Sequence, residues 1–427
     1  MSRVIVLGAG AMGLAAAHRA ASLGHETTLI EAAPEVGGMA AHFDFGGLSI
    51  ERYYHFICKS DQPTFDLLAE LGISDKLRWT ATSMGQLHGG KLHRWGDPLA
   101  LLAYPELNPI EKLRYGLMMF LQTRRSRWDK LENLSTKDWV ERWCGKSVYD
   151  KLWRPLFDLK FHRYADNVSA AWIWTRIKRV GTSRRSLMQE ELGYLEGGSQ
   201  TLVEALAEAF RAKGGTILTD APAKEVITED GRVTGVRVGE KVYPADAVIS
   251  TAPTPFISSL APTLPAASKA AYDAILNIGV VCVVLKLKRQ VTPHFWVNLL
   301  DPGHAVPGVI EFSNLRPVKD VIIYAPYYMP TDHANWARPD GVFVSEVMTS
   351  LKALNPALTD DDLIDSKVSR LRYAQPICVP GFQKMIPPVQ TPIAGLQAAD
   401  TCFYYPEDRG VAESVRLGRQ MAESIPT

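Results

Sequence analysis

Three stretches of the chain concentrate side chains able to do chemistry. Glu51-Arg52-Tyr53-Tyr54-His55-Phe56 gathers an acid, a cation, aromatic rings and an imidazole in one short run. His55 titrates near neutrality when unperturbed, so it can give or take a proton; a histidine merely bonded within a core is the plainer alternative. Tyr404-Tyr405-Pro406-Glu407-Asp408-Arg409-Gly410 sets an acid pair beside a cation. Arg409 there can stabilise developing negative charge, oriented by either carboxylate, or the run is a cap and turn. In the third stretch Arg154, Lys160, His162 and Arg163 alternate with Trp153, Trp172 and Trp174, a pattern suited to carboxylates or phosphates between apolar walls. Exposed helix faces would use the same charges. Tyr324, Tyr327 and Tyr328, with Glu311 and Asn314, are aromatic cavity walls or plain sheet residues. Five cysteines lie far apart without a C-x-x-C pair, so neither a metal site nor a disulfide framework is expected.

The elements that position these groups start at the first residues. Val4-Ile5-Val6-Leu7 is an unbroken apolar run, as in a parallel strand covered on both faces. Gly8, Gly10 and Gly13 follow as G-x-G-x-x-G, with Ala11 and Met12 opening an alanine-rich helix that ends at Gly24. Glycines at this spacing allow a tight turn, close approach of backbone to a pyrophosphate and close helix–strand packing, and the helix N-terminus offers free N–H groups to phosphates. A second strand, Thr27 to Ile30, ends at Glu31, about 20 residues on, where a carboxylate accepts from an adenosine ribose. A dinucleotide site is expected. Gly37-Gly38 then permits a second close backbone approach.

These motifs resemble the flavin-dependent amine oxidase and protoporphyrinogen oxidase superfamily. Its members place a Gly-Gly pair after the first acidic strand, as Gly37, Gly38 and Met39 stand here, although a basic residue is usual where this chain has Met39. Glu196-Gly197-Gly198-Ser199 is similar to the family's central glycine pair. By the same resemblance Val226 contacts the adenine end, Thr251 and Ala252 lie beside the cofactor, and Asp400, Gly410 and Val411 hold it near its pyrophosphate and ribitol; Asp400 alone would read as a helix cap. The resemblance implies FAD, held noncovalently because the family's C-terminal attachment cysteine is absent. It further implies catalytic roles for His55 and Arg409, and substrate contacts for Arg52, Tyr54, Lys160, His162, Trp174, Tyr324 and Tyr405. Lys286 and Lys288 alternate like a strand face and are read as structural rather than as a flavin-side lysine.

The expected fold is α/β: a Rossmann-like FAD-binding domain assembled from discontinuous segments 1–60, 190–255 and 365–427, with a mixed α+β substrate domain from 61–189 and 256–364. Residues 61 to about 190 read as mostly helical, with a helix start at Ser135, and 274–288, 307–312 and 321–325 read as strands. At 427 residues, with 47 Lys plus Arg against 46 Asp plus Glu, the chain has no global field for nucleic acid. The expected partner is a small organic molecule. LRYGLMMFLQTRRSRW is a basic amphipathic helix that suits a membrane surface, but a core-packed helix with a cationic last turn is preferred. No secretory signal or spanning segment is read, so a cytoplasmic protein is expected. The function expected is hydride transfer from a C–N or C–C bond to flavin, with reoxidation by oxygen or another acceptor. The alternative is a non-redox mutase similar to UDP-galactopyranose mutase, with Arg154, Lys160 and Arg163 holding a diphosphate.

Overall fold

A computed structural model describes residues 1–426. Five parallel strands form its central sheet, in the order Thr216–Leu218, Glu26–Ile30, Arg3–Leu7, Ala247–Ser250, Leu396–Ala398. Val4 to Leu7 are buried in the middle of that order, which explains why the run carries no polar alternation. One face is covered by three helices, Ala11–Ser22, Ser199–Ala212 and Val411–Glu423, sharing a core of Leu14, Leu206, Val415 and Met421. Small residues let two of these helices meet at backbone distance: a Cβ on Gly418 would lie 2.3 Å from the Met12 carbonyl. The antiparallel strands Ala223–Glu229, Arg232–Val238 and Lys241–Pro244 cover the other face. The sheet thus takes strands from the start, middle and end of the chain.

A second sheet of seven strands stands apart from the first: Leu363–Pro376, Asn277–Leu287, Val321–Pro330, Gly308–Glu311, Trp296–Leu299, Met84–His88, Lys91–Trp95. Two features depart from the sequence reading. Leu363–Pro376 pairs with Asn277–Leu287, so the segment from 365 first completes this sheet and only later returns to the cofactor sheet. The hairpin of 84–95 lies in a stretch read as helical. Its turn residues, Gly89 and Gly90, both have positive φ, as a two-residue hairpin loop requires.

Helices Pro98–Ala103, Pro109–Arg124, Thr136–Cys144, Arg154–Phe161 and Ala170–Thr182 build a layer with its own core of Trp139, Tyr149, Phe161 and Trp172. Ser135 caps its helix as expected, its hydroxyl accepting from the Asp138 N–H at 3.0 Å. Pro109–Arg124 packs on this core through Met118, Tyr115 and Met119, as the preferred reading expects, but only part of its apolar set takes part. Only Glu111, Met118 and Gln122 are buried there, held by Lys151 on Glu111 and by the Trp174 indole donating to the Gln122 carbonyl at 2.8 Å. Leu113, Leu117, Phe120 and Leu121 face outward instead. Among the described residues, no helix is long and apolar enough to cross a membrane.

Candidate active site

The tip of the first strand, the helix after it and the Gly37-Gly38 turn converge on one point. The Gly37 N–H donates to the Ala9 carbonyl at 2.7 Å, and a Cβ on Gly38 would lie 3.0 Å from the Gly10 Cα. Gly13 is a packing glycine: its Cβ would fall 1.8 Å from the Gly8 carbonyl oxygen. A Cβ on Gly10, by contrast, meets nothing nearer than 3.9 Å, so the helix N-terminus opens into free space. Glu31 borders that space, its carboxylate accepting from the Ala9 N–H at 2.6 Å and the Ala33 N–H at 2.9 Å. Those bonds fix the acid and leave further lone pairs for hydroxyl donors. A glycine cradle, an open helix N-terminus and an anchored acid together fit an adenine dinucleotide.

The cradle is one end of a continuous cavity of about 1440 Å³, above the roughly 300–1,000 Å³ of ordinary ligand pockets. Gly8, Gly10, Ala11, Met12, Glu31, Gly37, Gly38, Met39, Thr251, Ala252, Asp400, Gly410 and Val411 line it, as do His55, Arg409, Tyr54 and Lys160. Asp400 lines the cavity and acts as a helix cap. It caps the short helix after it through the Cys402 N–H (2.8 Å), and its other oxygen takes the Thr254 N–H (2.7 Å), tying two strand ends together beside the cavity.

Other expected residues lie elsewhere. Val226 is buried under the three-stranded sheet, and Ala221 to Lys224, just before it, border the cavity instead. Arg52 pairs with Glu35 near the surface. The His162 ring bonds the Tyr328 carbonyl at 2.7 Å, Trp174 serves the helix layer, the Tyr324 hydroxyl donates to the Glu51 carbonyl at 2.7 Å, and Tyr405 is bonded to Ser169 and Glu132. The bonds of Trp174, Tyr324 and Tyr405 are structural ones that burial demands. Arg154 pairs with Asp150 and Asp166, and Arg163 with Asp332; neither lines the cavity. The diphosphate pocket drawn from those two arginines therefore does not assemble. Lys286 is structural as read, bonding the Phe45 carbonyl and Asp320 at 3.0 Å each.

In the middle of the cavity, burial is the dominant physical effect. It pushes the His55 imidazole below its ordinary value, with Glu51 opposing and Arg409 assisting, so the ring is neutral, and its buried Nδ1 has no hydrogen-bond partner. Burial pushes the Lys160 ammonium well below the usual lysine range, and the charges of Arg176 and Arg409 push it further. Cys282 also borders the cavity, its thiol pushed up to about 12 by burial, which leaves it a weak nucleophile. Of the tyrosines read as aromatic cavity walls or sheet residues, Tyr328 lines the cavity, whereas sequence reasoning missed Arg176, Arg179 and Tyr373, which also line it. Arg176 and Arg179 stand three apart, one helical turn, on the helix after Trp172, a spacing that puts them on one face. Nothing in the sequence says which cavity that face meets.

Beyond this centre the cavity continues between helices. Leu101, Met119, Leu156, Phe157, Ile173 and Ile177, from four of them, make an apolar channel. Its outer end reaches Phe120, Arg124 and Leu187 at the surface.

Comparison with known proteins agrees with this geometry. A 15-cis-phytoene desaturase of Synechococcus elongatus is 27% identical over 322 residues, 68% of this chain and 66% of its own length, so the match spans just under two thirds of that protein. A zeta-carotene desaturase of Synechocystis is 24% identical over 482 aligned positions, covering 99% of this chain and 97% of its own. In fold, the chain superimposes with a TM-score of 0.77 and 19% identity on a structure assigned as a protoporphyrinogen oxidase of Exiguobacterium, covering 99% and 98% of the two chains. The profile of the flavin-containing amine oxidoreductases matches residues 13–422. With a glycine cradle, an anchored acid beside it and a family match over nearly its whole length, this chain belongs to the flavin-containing amine oxidoreductase family, whose cofactor is FAD.

Proposed function

We propose that the chain dehydrogenates an apolar, isoprenoid-like small molecule at a C–C or C–N bond, with noncovalent FAD. The observation that carries this reading is the junction of the apolar interhelical channel with the glycine cradle in one cavity. When bound, FAD supplies a hydride acceptor that oxygen or another oxidant regenerates. The chain's part is to hold the donor carbon in a dry channel and to manage the proton that leaves with the hydride. His55, kept neutral by burial and with a free Nδ1, is suited to accept that proton. The similarity to carotenoid desaturases supports a polyene or prenyl substrate over a polar amine. Anaerobic mixing tests this: long-chain isoprenoids are expected to bleach the flavin spectrum and short amines to leave it unchanged. Bleaching by amines alone would reverse the substrate assignment. Binding of a nucleotide sugar followed by rearrangement on pre-reduced enzyme, with no net electron transfer, would replace dehydrogenation by isomerisation.

The channel's outer end bears on delivery. Leu99, Leu102, Ile110, Leu113, Leu117 and Phe120 project from two consecutive helices at 50–72% exposure, more apolar surface in one place than isolated surface residues account for. Arg124 lies over the Phe120 ring at 3.6 Å, with Arg125 and Arg127 following. Apolar side chains rimmed by cations suit the interface of an anionic bilayer, where an isoprenoid would be dissolved. Co-sedimentation with phosphatidylglycerol vesicles should exceed that with phosphatidylcholine alone. Leu113→Glu/Leu117→Glu should lower it at least tenfold, since burying each leucine contributes about 1.5–3 kcal/mol. Equal sedimentation of this variant and the parent would remove the membrane contact.

A further inference from the structure

Two basic side chains in the centre of the cavity have no ion-pair partner among the described residues. Lys160 makes neither a hydrogen bond nor an ion pair among the described residues; its ammonium sits over the Tyr328 ring at 4.7 Å, with Phe161 and Trp172 at 5.4 and 5.5 Å. Arg409 donates to the Ala374 carbonyl at 2.7 Å and approaches the Tyr328 hydroxyl at 3.4 Å. Ala374 and Tyr328 both belong to the seven-stranded sheet. Arg409 therefore reaches away from the cofactor sheet and into the substrate side, where Lys160 meets the same tyrosine. Asp408, the carboxylate in reach of this group, is engaged by Arg176 at 2.7 Å. Two guanidiniums and the Lys160 amine thus share one carboxylate, and because burying uncompensated charge is expensive, Lys160 is driven towards its neutral form until an anion arrives.

We propose that Lys160 and Arg409, gathered on Tyr328, form a subsite for an anionic oxygen group of the substrate, a carboxylate or a phosphate ester, so that the substrate is an amphiphile rather than a pure hydrocarbon. This rests on the reading of the channel as the seat of an apolar chain and adds the group that ends it. Charge-assisted hydrogen bonds from an ammonium and a guanidinium would hold the head group, and Tyr328 fixes the spacing of the two donors. An incoming anion would also favour the charged form of Lys160, so binding should be accompanied by proton uptake.

Isothermal titration calorimetry on the flavin-loaded protein tests this with prenyl compounds of one chain length, as the carboxylic acid, the monophosphate, the alcohol and the hydrocarbon. The acid or the phosphate should bind about ten- to a hundredfold more tightly than the alcohol, and which of the two is tighter identifies the head group. Lys160→Met and Arg409→Met should each reduce that preference to within about threefold while leaving alcohol affinity in place, and Arg409→Lys should restore part of it. Titration in buffers of different ionisation enthalpy should register proton uptake in the parent and none in Lys160→Met. Equal affinity for alcohol, acid and phosphate in the parent overturns the subsite but not the dehydrogenase reading, which stands if the alcohol or hydrocarbon still bleaches the flavin. If no prenyl compound binds or bleaches, both fall.

Discussion

The two halves of the cavity are built on opposite principles. On the cofactor side the work is done by main chain: strands of three to five residues drawn from four distant segments, a helix N-terminus and glycines whose missing Cβ atoms make the room. On the substrate side it is done by side chains, from a seven-stranded sheet and five helices whose contributions meet only after folding. A backbone site tolerates few residues and fixes their spacing along the chain. A side-chain site fixes positions in space and leaves the spacing free, so the first generalises across a family and the second can change substrate.

The largest effect that separates these principles is expected within the glycine fingerprint. Gly13→Ala puts a Cβ 1.8 Å from the Gly8 carbonyl and 3.1 Å from the Thr251 hydroxyl, and the first of these is a main-chain atom that cannot rotate away, so stability should drop by more than about 4 kcal/mol and flavin should be lost with the fold. Gly10→Ala has φ near −72° and nothing within 3.9 Å, so thermal unfolding of the apoprotein should barely change while flavin occupancy falls, because the methyl projects where phosphates approach. Thermal melting and the ratio of visible to ultraviolet absorbance report both quantities. Equal melting points for the two variants would erase the distinction between packing glycine and cradle glycine.

The next effect lies at the joint between the halves. Asp61 stands before the helix Gln62–Glu70, which packs on the cofactor side, and it pairs with Arg179 of the helix layer through two bonds of 3.0 and 2.7 Å. Both residues border the cavity. Asp61→Asn leaves the Arg179 guanidinium buried without its charge partner, which should cost about 3–5 kcal/mol, read as a shift in the urea midpoint. Asp61→Asn/Arg179→Met removes both charges and should recover most of that loss; failure to recover would mean that the pair positions the two halves rather than merely neutralising a charge.

How much of this was legible follows the same division. Gly8, Gly10, Gly37, Gly38, Glu31 and Asp400 could be found by spacing because their task is local: a turn, a strand end, a cap. Their parallel sheet follows from apolar runs too short and too uniform to be half exposed. Arg52, His162, Trp174, Tyr324 and Tyr405 had the right chemistry in the right neighbourhood, but each found a nearer partner, which burial demands of Trp174, Tyr324 and Tyr405. Lys160 differs from them only in having none, a property of three-dimensional packing. The helix Pro109–Arg124 was legible only in part for a related reason. Its periodicity identifies apolar residues, but which of them turn inward is set by partners distant in sequence: Met118, Tyr115 and Met119 meet the helix-layer core, whereas Leu113, Leu117, Phe120 and Leu121 do not.

The smallest predicted effect lies in the seven-stranded sheet, away from the cavity, and asks whether the halves melt as one. Glu311 is buried, and although the N–H groups of Val291 and Thr292 donate to it at 3.3 and 2.7 Å, burial outweighs them and raises its carboxyl to about 7. Below about pH 4.5 it is protonated in both folded and unfolded chains. Between there and about pH 7 the folded chain keeps a proton that the unfolded chain has released, so stability falls as pH rises through this window, by roughly 3 kcal/mol in total, and levels off above it. Glu311→Gln, neutral at every pH and still able to accept the shorter bond, from the Thr292 N–H, through its one carbonyl oxygen, should flatten that slope in a series of urea melts from pH 4.5 to 7.5. Since the chain passes repeatedly between sheets that share one cavity, the slope should appear in a single transition followed by both flavin absorbance and tryptophan fluorescence. A slope carried by fluorescence alone would mean that the substrate side opens while the glycine cradle still holds its cofactor.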